Sequence, residues 1–142
     1  MSFVKTLATN IETSIKTLLP EYTRLNYAVD IEENKLLTHT NRFGVVMGNS
    51  NIAEGPLNRV TLDQAVEITI TSDYSENHDD IDKVAKANEV SDTLISIYKH
   101  LASTNASTSG VRLVSLESIS DTEYLEEKVL YRTANITIQH LA

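Results

Sequence analysis

The segment from Val60 to Ser72 alternates apolar and polar side chains more regularly than any other part of this 142-residue chain. Its apolar positions are Val60, Leu62, Val66, Ile68 and Ile70, and the polar positions between them include Thr61, Asp63, Glu67, Thr69 and Thr71. Successive side chains of a β-strand point to opposite faces of a sheet, so this period of two predicts a half-buried strand. A fold that contains such a strand has to cover one face of its sheet with other elements.

Two segments with helical periodicity can supply that cover. Residues 3–19 carry apolar side chains at spacings of three and four, Ser2 can cap their start, and Pro20 ends the helix. A second helix is predicted to begin at Asp80, after a run of capping residues, and to end at Leu101. Its inner stripe is predicted to consist of Ile81, Val84, Asn88, Leu94, Ile95, Tyr98 and Leu101.

Four further segments are predicted to be extended. Residues 24–31 alternate like a half-buried strand, and residues 36–40 begin a return strand after a polar turn. Residues 111–116 form a short apolar run, and residues 129–140 alternate again. The order is α-β-β-β-α-β-β, without an internal repeat. We therefore expect residues 1–142 to form a single α+β domain, with a mostly antiparallel sheet and two helices packed on one face.

Residues 41–59 form the irregular part of the sequence. Three of the four glycines, Gly44, Gly48 and Gly55, fall in this segment together with Pro56. We interpret it as a long hairpin or loop arm, because long loops in compact domains tend to be functional or flexible. Its apolar residues either fold onto the core or bind a neighbouring subunit, since exposed apolar loops often mark contacts. The candidate interface residues are Phe43, Val45, Met47, Ile52 and Leu57.

The charge composition limits the kinds of partner that this chain is expected to bind. Twelve Lys and Arg residues against 20 Asp and Glu residues give a net charge of −8. This balance disfavours a sequence-independent grip on nucleic acid and docking on anionic membranes. No segment approaches the roughly 20 apolar residues of a membrane span, and the N-terminal segment lacks the apolar run of a signal peptide, so we expect a cytoplasmic protein. The absence of Cys excludes disulfides and Cys nucleophiles.

Residue types used in catalysis and metal binding do not form a recognisable motif. The densest group, His78-Asp79-Asp80, lacks the ligand spacing of a calcium loop, and carboxylates are stabilised at a helix N-terminus in any case. The four His residues lack i, i+4 spacing and are interpreted as solvent-exposed. A G-x-S-x-G string is missing, and residues 44–49 lack the Gly-Lys-Ser/Thr ending of a phosphate-binding loop. We expect a protein that is not an enzyme, with no catalytic, metal-binding or cofactor-binding residues.

The order of the segments carries a family resemblance. The run from Val66 to Tyr74 is followed by an acidic turn and the predicted helix of residues 80–101. The chain closes with residues 111–116, an acidic loop and residues 129–139. Together with the N-terminal helix and the early hairpin, this pattern resembles the tail terminator (tail completion) proteins of tailed bacteriophages. The resemblance covers nearly the whole chain and lies in element order and size rather than in a catalytic motif.

The resemblance implies a structural protein of the virion, located in the tail or neck and assembled in the host cytoplasm. Terminators form rings, usually hexamers, that cap the tail tube, stop its polymerisation and join the tail to the head connector. The implied partners are further copies of the chain, the tail tube protein and the head-tail connector protein. DNA passes through the lumen without specific binding, which an acidic wall would suit because like charges repel. The alternatives are another phage neck or head-closure protein, or an acidic protein-binding module that acts as an inhibitor.

Overall fold

The computed structural model describes residues 3–24, 41–54, 60–73, 80–125 and 129–141. The helices are α1 (Phe3–Leu18) and α2 (Asp80–Thr104), and a short 3-10 turn (Asn105–Ser107) follows α2. The strands are β1 (Thr23–Arg24), β2 (Arg42–Glu54), β3 (Val60–Asp73), β4 (Val111–Ile119), β5 (Glu123–Leu125) and β6 (Val129–Leu141). The α+β class and the predicted order of helices and strands are confirmed, with the short strand β5 as an addition. The strands predicted at 24–31 and 36–40 lie almost entirely outside the described residues.

The described strands form one mixed sheet in the order β1-β2-β3-β6-β4, and β5 pairs with the start of β6. β1 runs parallel to β2 through the pairs Thr23–Arg42 and Arg24–Phe43, whereas the other strand pairs are antiparallel. β3 is bonded to β2 along one edge and to β6 along the other. The strand with the most regular sequence therefore lies inside the sheet.

The core lies between the two helices and one face of the sheet, which we call the helix side. Directly opposite residues of antiparallel strands share a face, so Ile68 of β3 lies on the helix side with its partners Val45 and Ala134. The sheet residues of the core are Phe43, Val66, Ile68, Ile70, Val111, Val114, Leu130, Ala134, Ile136 and Ile138. The helices contribute Leu7, Ile11 and Ile15 from α1, and Val90, Leu94, Ile97 and Leu101 from α2. The prediction that both helices pack on one face is confirmed.

The stripe predicted for α2 is partly wrong. Leu94 and Leu101 are buried as predicted, but Val84 is 58% exposed and Asn88 is also exposed. The buried positions are Ala87, Val90, Leu94, Ile97 and Leu101, which recur at spacings of three and four. The small side chain of Ala87 gives a weaker apolar signal than Val84, so the sequence pattern favours a stripe on a neighbouring face.

Most of the segment predicted as a hairpin or arm is a strand. Residues 42–54 form β2 and pair antiparallel with β3 along their whole length, and protrusion of residues 41–59 as an arm stays a prediction. A β-bulge between Met47 and Ser50 interrupts the alternation of apolar and polar residues in β2, so the sequence of this strand looks like that of a loop. Residues 55–59 lie outside the described part of the chain.

The bulge is held by the buried side chain of Gln64. Its Nε2 donates to the carbonyl oxygens of Gly48 and Ala65 at 2.8 and 2.9 Å, and its Oε1 accepts a hydrogen bond from the Ser50 hydroxyl. A Cβ at Gly48 would lie 3.2 Å from the Cβ of Ala65, a tight approach that a residue without a side chain avoids. Gln64 therefore satisfies the backbone that the extra residue leaves unpaired.

The opposite face of the sheet, which we call the open side, is mainly polar. Its residues on β3 and β6 include Thr61, Asp63, Glu67, Thr69, Thr71, Tyr131, Thr133, Asn135, Thr137 and Gln139. The hydroxyls of Thr69 and Thr133 share a hydrogen bond of 2.8 Å, and Asn135 Nδ2 donates to Ser118 Oγ at 3.0 Å. These bonds between strands satisfy polar groups on a face where Thr61, Thr69 and Thr71 are buried and Glu67 is exposed.

A left-handed turn joins α2 to β4. Asn105, Ala106 and Ser107 have φ angles of 50°, 52° and 50°, a conformation that costs a non-glycine residue roughly 1–2 kcal/mol. Asn10 of α1 compensates, because its Nδ2 donates to the Ser107 carbonyl oxygen at 3.1 Å and to Thr108 Oγ1 at 2.9 Å. The turn is thereby fixed against α1, with Ala106 fully buried.

Replacing Gln64 by Ala tests its role in the bulge. We expect the free energy of unfolding, measured by urea denaturation, to fall by about 1–3 kcal/mol, because buried backbone oxygens lose their donor. The control is Gln139→Ala, since Gln139 is only partly buried and makes one long bond of 3.4 Å to Asp63. This control should lose less than about 0.5 kcal/mol. Equal losses in the two variants would contradict the assignment.

Replacing Ser107 by Gly tests the strain in the turn. Ser107 is exposed and glycine adopts positive φ readily, so we expect the melting temperature to rise by a few degrees, equivalent to about 1 kcal/mol. The matched variant Ser103→Gly lies in the last turn of α2, where glycine should instead destabilise by roughly 0.5–1 kcal/mol. A melting temperature that falls in both variants would show that the turn is unstrained.

Candidate assembly surface

The five candidate interface residues occupy different environments. Phe43 is buried in the core opposite Ile70, which is the first of the two alternatives predicted for these apolar residues. Val45 and Met47 are partly buried and pack against the same core. Ile52 is 73% exposed, as an interface residue requires. Leu57 lies outside the described residues.

Register explains why Phe43 and Ile52 differ, although both lie on the helix side of β2. Phe43, Val45 and Met47 face Ile70, Ile68 and Val66, which the helices cover. Beyond the bulge, Ile52 pairs with Leu62, and this row continues through His140 to Val111. The ring of Phe3, at the start of α1, stacks on His140 with a centroid distance of 4.0 Å. Ile52 lies two strands away from that contact and remains in solvent.

The end of the sheet that carries Ile52 collects most of the exposed apolar side chains. Val60 is 43% exposed on the same face. On the open side, Leu113 pairs with Gln139 and is 55% exposed, and Leu141 lies two residues farther along β6 and is 43% exposed. Among the described residues these are four of the six large apolar side chains in solvent, the others being Leu18 and Val84. We call Ile52, Val60, Leu113 and Leu141 the apolar end.

His140 is a buried residue beside the apolar end. The sequence interpretation of exposed histidines is wrong for His140, which is buried between strand neighbours and Phe3. Its Nδ1 lies 3.0 Å from the carbonyl oxygen of Leu141, while its Nε2 is buried without a hydrogen-bond partner among the described residues. In the sequence, a histidine at the end of a strand looks like a surface residue. The burial of His140 becomes evident only when Phe3 is seen to stack on it.

A second surface feature lies between the C-terminal end of α1 and the middle of α2. It is a groove of about 290 Å³ lined by Leu18, Leu19, Glu89, Asp92, Thr93, Ser96 and Ile97. Lys86 Nζ lies 3.5 Å from Glu89 Oε2, whereas Asp92 makes no ion pair with any described residue. The side chains combine an apolar floor with carboxylates on the rim. We call this feature the acidic groove.

The electrostatics of the acidic groove extend to Tyr22. Burial raises the pKa of the half-buried Tyr22 phenol, and the carboxylates of Glu89 and Glu21 raise it further. The negative potential of this region therefore acts on a neighbouring ionisable group. A basic group placed in the same field would be stabilised.

The groove on the other side of α1 offers no free charge among its described lining residues. It has a volume of about 420 Å³ and is lined by Glu12, Thr13, Lys16, Thr17, Thr23, Arg24 and Phe43. Arg24 Nε lies 2.9 Å from Glu12 Oε1, and Lys16 Nζ donates to the carbonyl oxygens of Pro20 and Tyr22 at 2.9 and 2.7 Å. Its cationic groups are thus engaged in holding β1 and the preceding turn to α1.

The described residues contain no group of three or more His, Cys, Asp or Glu side chains arranged to hold a metal ion. The side chains of His78-Asp79-Asp80 lie outside the described part of the structure, so the interpretation of that cluster stays a prediction. Neither described helix combines the length and the apolar character needed to span a membrane.

The raised pKa of Tyr22 predicts a pH dependence. A phenol whose pKa is higher in the folded than in the unfolded chain stabilises the fold fully below about pH 10, and this contribution is lost as the pH rises through the folded-state pKa. We expect the free energy of unfolding of the parent protein to fall above about pH 10, and that of Tyr22→Phe to fall less steeply. Tyr98→Phe, which keeps Tyr22, should follow the parent. Identical slopes for the parent and Tyr22→Phe would contradict the electrostatic assignment.

Comparison of the chain with protein-family models and with curated protein sequences finds no match. A function therefore has to be inferred from the fold, the apolar end and the acidic groove.

Proposed function

We propose that this protein is a structural, non-catalytic assembly protein that works as a phage tail terminator. In this role, copies of the chain form a ring, expected to be a hexamer, that caps the tail tube and joins the tail to the head connector. The protein is then a component of the virion tail or neck, assembled in the host cytoplasm. The α+β fold and its element order support the proposal, because they agree with the resemblance from which it began.

The observation that carries the proposal is the apolar end. A single chain leaves Ile52, Val60, Leu113 and Leu141 in water on both faces of one end of the sheet. Gathered exposed apolar side chains mark contact surfaces more often than isolated ones do. Burying a side chain of this size contributes about 1.5–3 kcal/mol before ordering costs, so several together suffice to drive association.

The charge of the chain suits the proposed ring. DNA would pass through its lumen, and a net charge of −8 keeps a polyanion from binding tightly to the wall. On the open side, Glu67 is exposed near the middle of β3 among short polar side chains. This face offers no run of Lys or Arg among its described β3 and β6 residues that would neutralise phosphates.

Electron microscopy of the protein mixed with purified tail tubes of the cognate virus tests the proposal. We expect a ring at one end of each tube and no further tube growth when tube subunits are added. Ile52→Ser should lower the apparent affinity for tube ends about tenfold or more, because it removes an apolar contact. Val84→Ser alters an exposed apolar residue on α2 and should cap like the parent.

Other outcomes would redirect the assignment. Binding to the head connector without binding to tubes would favour a neck or head-closure protein. A monomer that binds and inhibits a nuclease or polymerase would favour the acidic inhibitor. If Ile52→Ser and Val84→Ser weaken capping equally, the apolar end is not the contact with the tube.

A further inference from the structure

We propose that copies of this chain contact one another head to tail, with Arg112 and Leu113 of one copy seated in the acidic groove of the next. The inference rests on the proposed ring and names the contact that would build it. Each copy carries both halves of the contact, a basic and apolar projection on β4 and an acidic groove between the helices.

The projection is produced by a bulge in β4. Pairing with β6 shifts between Val111 and Leu113, so Arg112 has no direct partner on β6. Both Arg112 and Leu113 are exposed, and Arg112 forms no ion pair with any described residue. An arginine next to an exposed leucine on an edge of the sheet combines a cation with an apolar anchor, the composition typical of protein contacts.

The acidic groove has the complementary composition. Leu18 is exposed at its edge and Leu19 and Ile97 form its floor, which suits the side chain of Leu113. The carboxylate of Asp92 has no cation among the described residues, whereas Lys86 already lies near Glu89. Asp92 is therefore the group that Arg112 of another copy would neutralise. Such complementarity fixes the register of two surfaces and suppresses wrong pairings.

The distance between the two features requires a second copy. Phe3, the first residue of α1, stacks on His140, which pairs with Val111 at the start of β4. Leu18, the last residue of α1, borders the acidic groove. A rise of 1.5 Å per residue separates these two points by about 22 Å. A chain cannot place its own Arg112 in its own groove, so the contact is between unlike surfaces and closes into a ring when its rotation closes.

Charge reversal tests the contact by sedimentation velocity and by electron microscopy on tail tubes. We expect Arg112→Glu and Asp92→Arg each to weaken self-association at least about tenfold, because like charges then meet. The double variant Arg112→Glu/Asp92→Arg has the same net charge as the parent and should restore association to within about threefold of it. Far-UV circular dichroism and melting temperatures should stay unchanged, since neither residue is buried.

Leu113→Ser and its matched control Val84→Ser test the apolar side of the proposed contact between copies. The two residues are similarly exposed, but only Leu113 is adjacent to Arg112, so only Leu113→Ser should weaken association. Higher salt should weaken association of the parent, because exposed charges are screened.

The outcomes separate this contact from the proposed function. If the parent forms rings and the single charge variants form them equally well, the contact is overturned while the terminator assignment stands. The contact is overturned in the same way if the double variant fails to recover. If the parent protein forms no ring either alone in solution or when mixed with tail tubes, the contact and the proposed function are both overturned.

Discussion

The pairing of β3 on both of its edges is the constraint on which the rest of the structure depends. A strand bonded to β2 and β6 imposes its alternation on both neighbours, because directly opposite residues share a face. A slip of one residue would move Ile68 and Ile70 into water and bring Glu67 and Thr69 under the helices. The helices can therefore pack on one side only, and the polar character of the open side follows from the same register.

Regular periodicity is the part of this fold that can be predicted from the sequence. The alternation of β3 and β6 and the stripe of α1 are regular over most of their length, so the α+β class and the element order follow from them. The sequence of β2 resembles an arm because Gly48 and the residues after it break the alternation. The compensating partner is Gln64, which is distant in sequence and looks like an ordinary polar residue of a strand. A bulge and a loop have the same local pattern, and only the partner strand distinguishes them.

The residues of the apolar end are harder to predict from the sequence than the fold is. Ile52 can be identified from its irregular segment, but Val60, Leu113 and Leu141 look like core residues, since apolar side chains in strands usually are. The exposure of Val60 depends on where the helices end relative to the strands, whereas Leu113 and Leu141 lie on the open side, which neither described helix covers. Phe3 covers His140, whereas Ile52 and Val60 on the same face stay exposed, and that geometry arises only after the elements have packed. The burial of His140 escapes prediction for the same reason.

The bulges of β2 and β4 let these strands carry extra residues while the residues around them keep their faces of the sheet. In β2 the extra residue lies between Met47, which packs on the core, and Ile52, which is exposed. Deleting one residue at the bulge would restore regular alternation and would leave Phe43 opposite Ile70 and Ile52 opposite Leu62, both on the helix side. In β4 the extra residues are Arg112 and Glu117, and Leu113 directly follows the first of them. A deletion of one residue at a bulge would therefore shorten a strand and leave both the folded interior and the exposed residues beyond the bulge on their present faces.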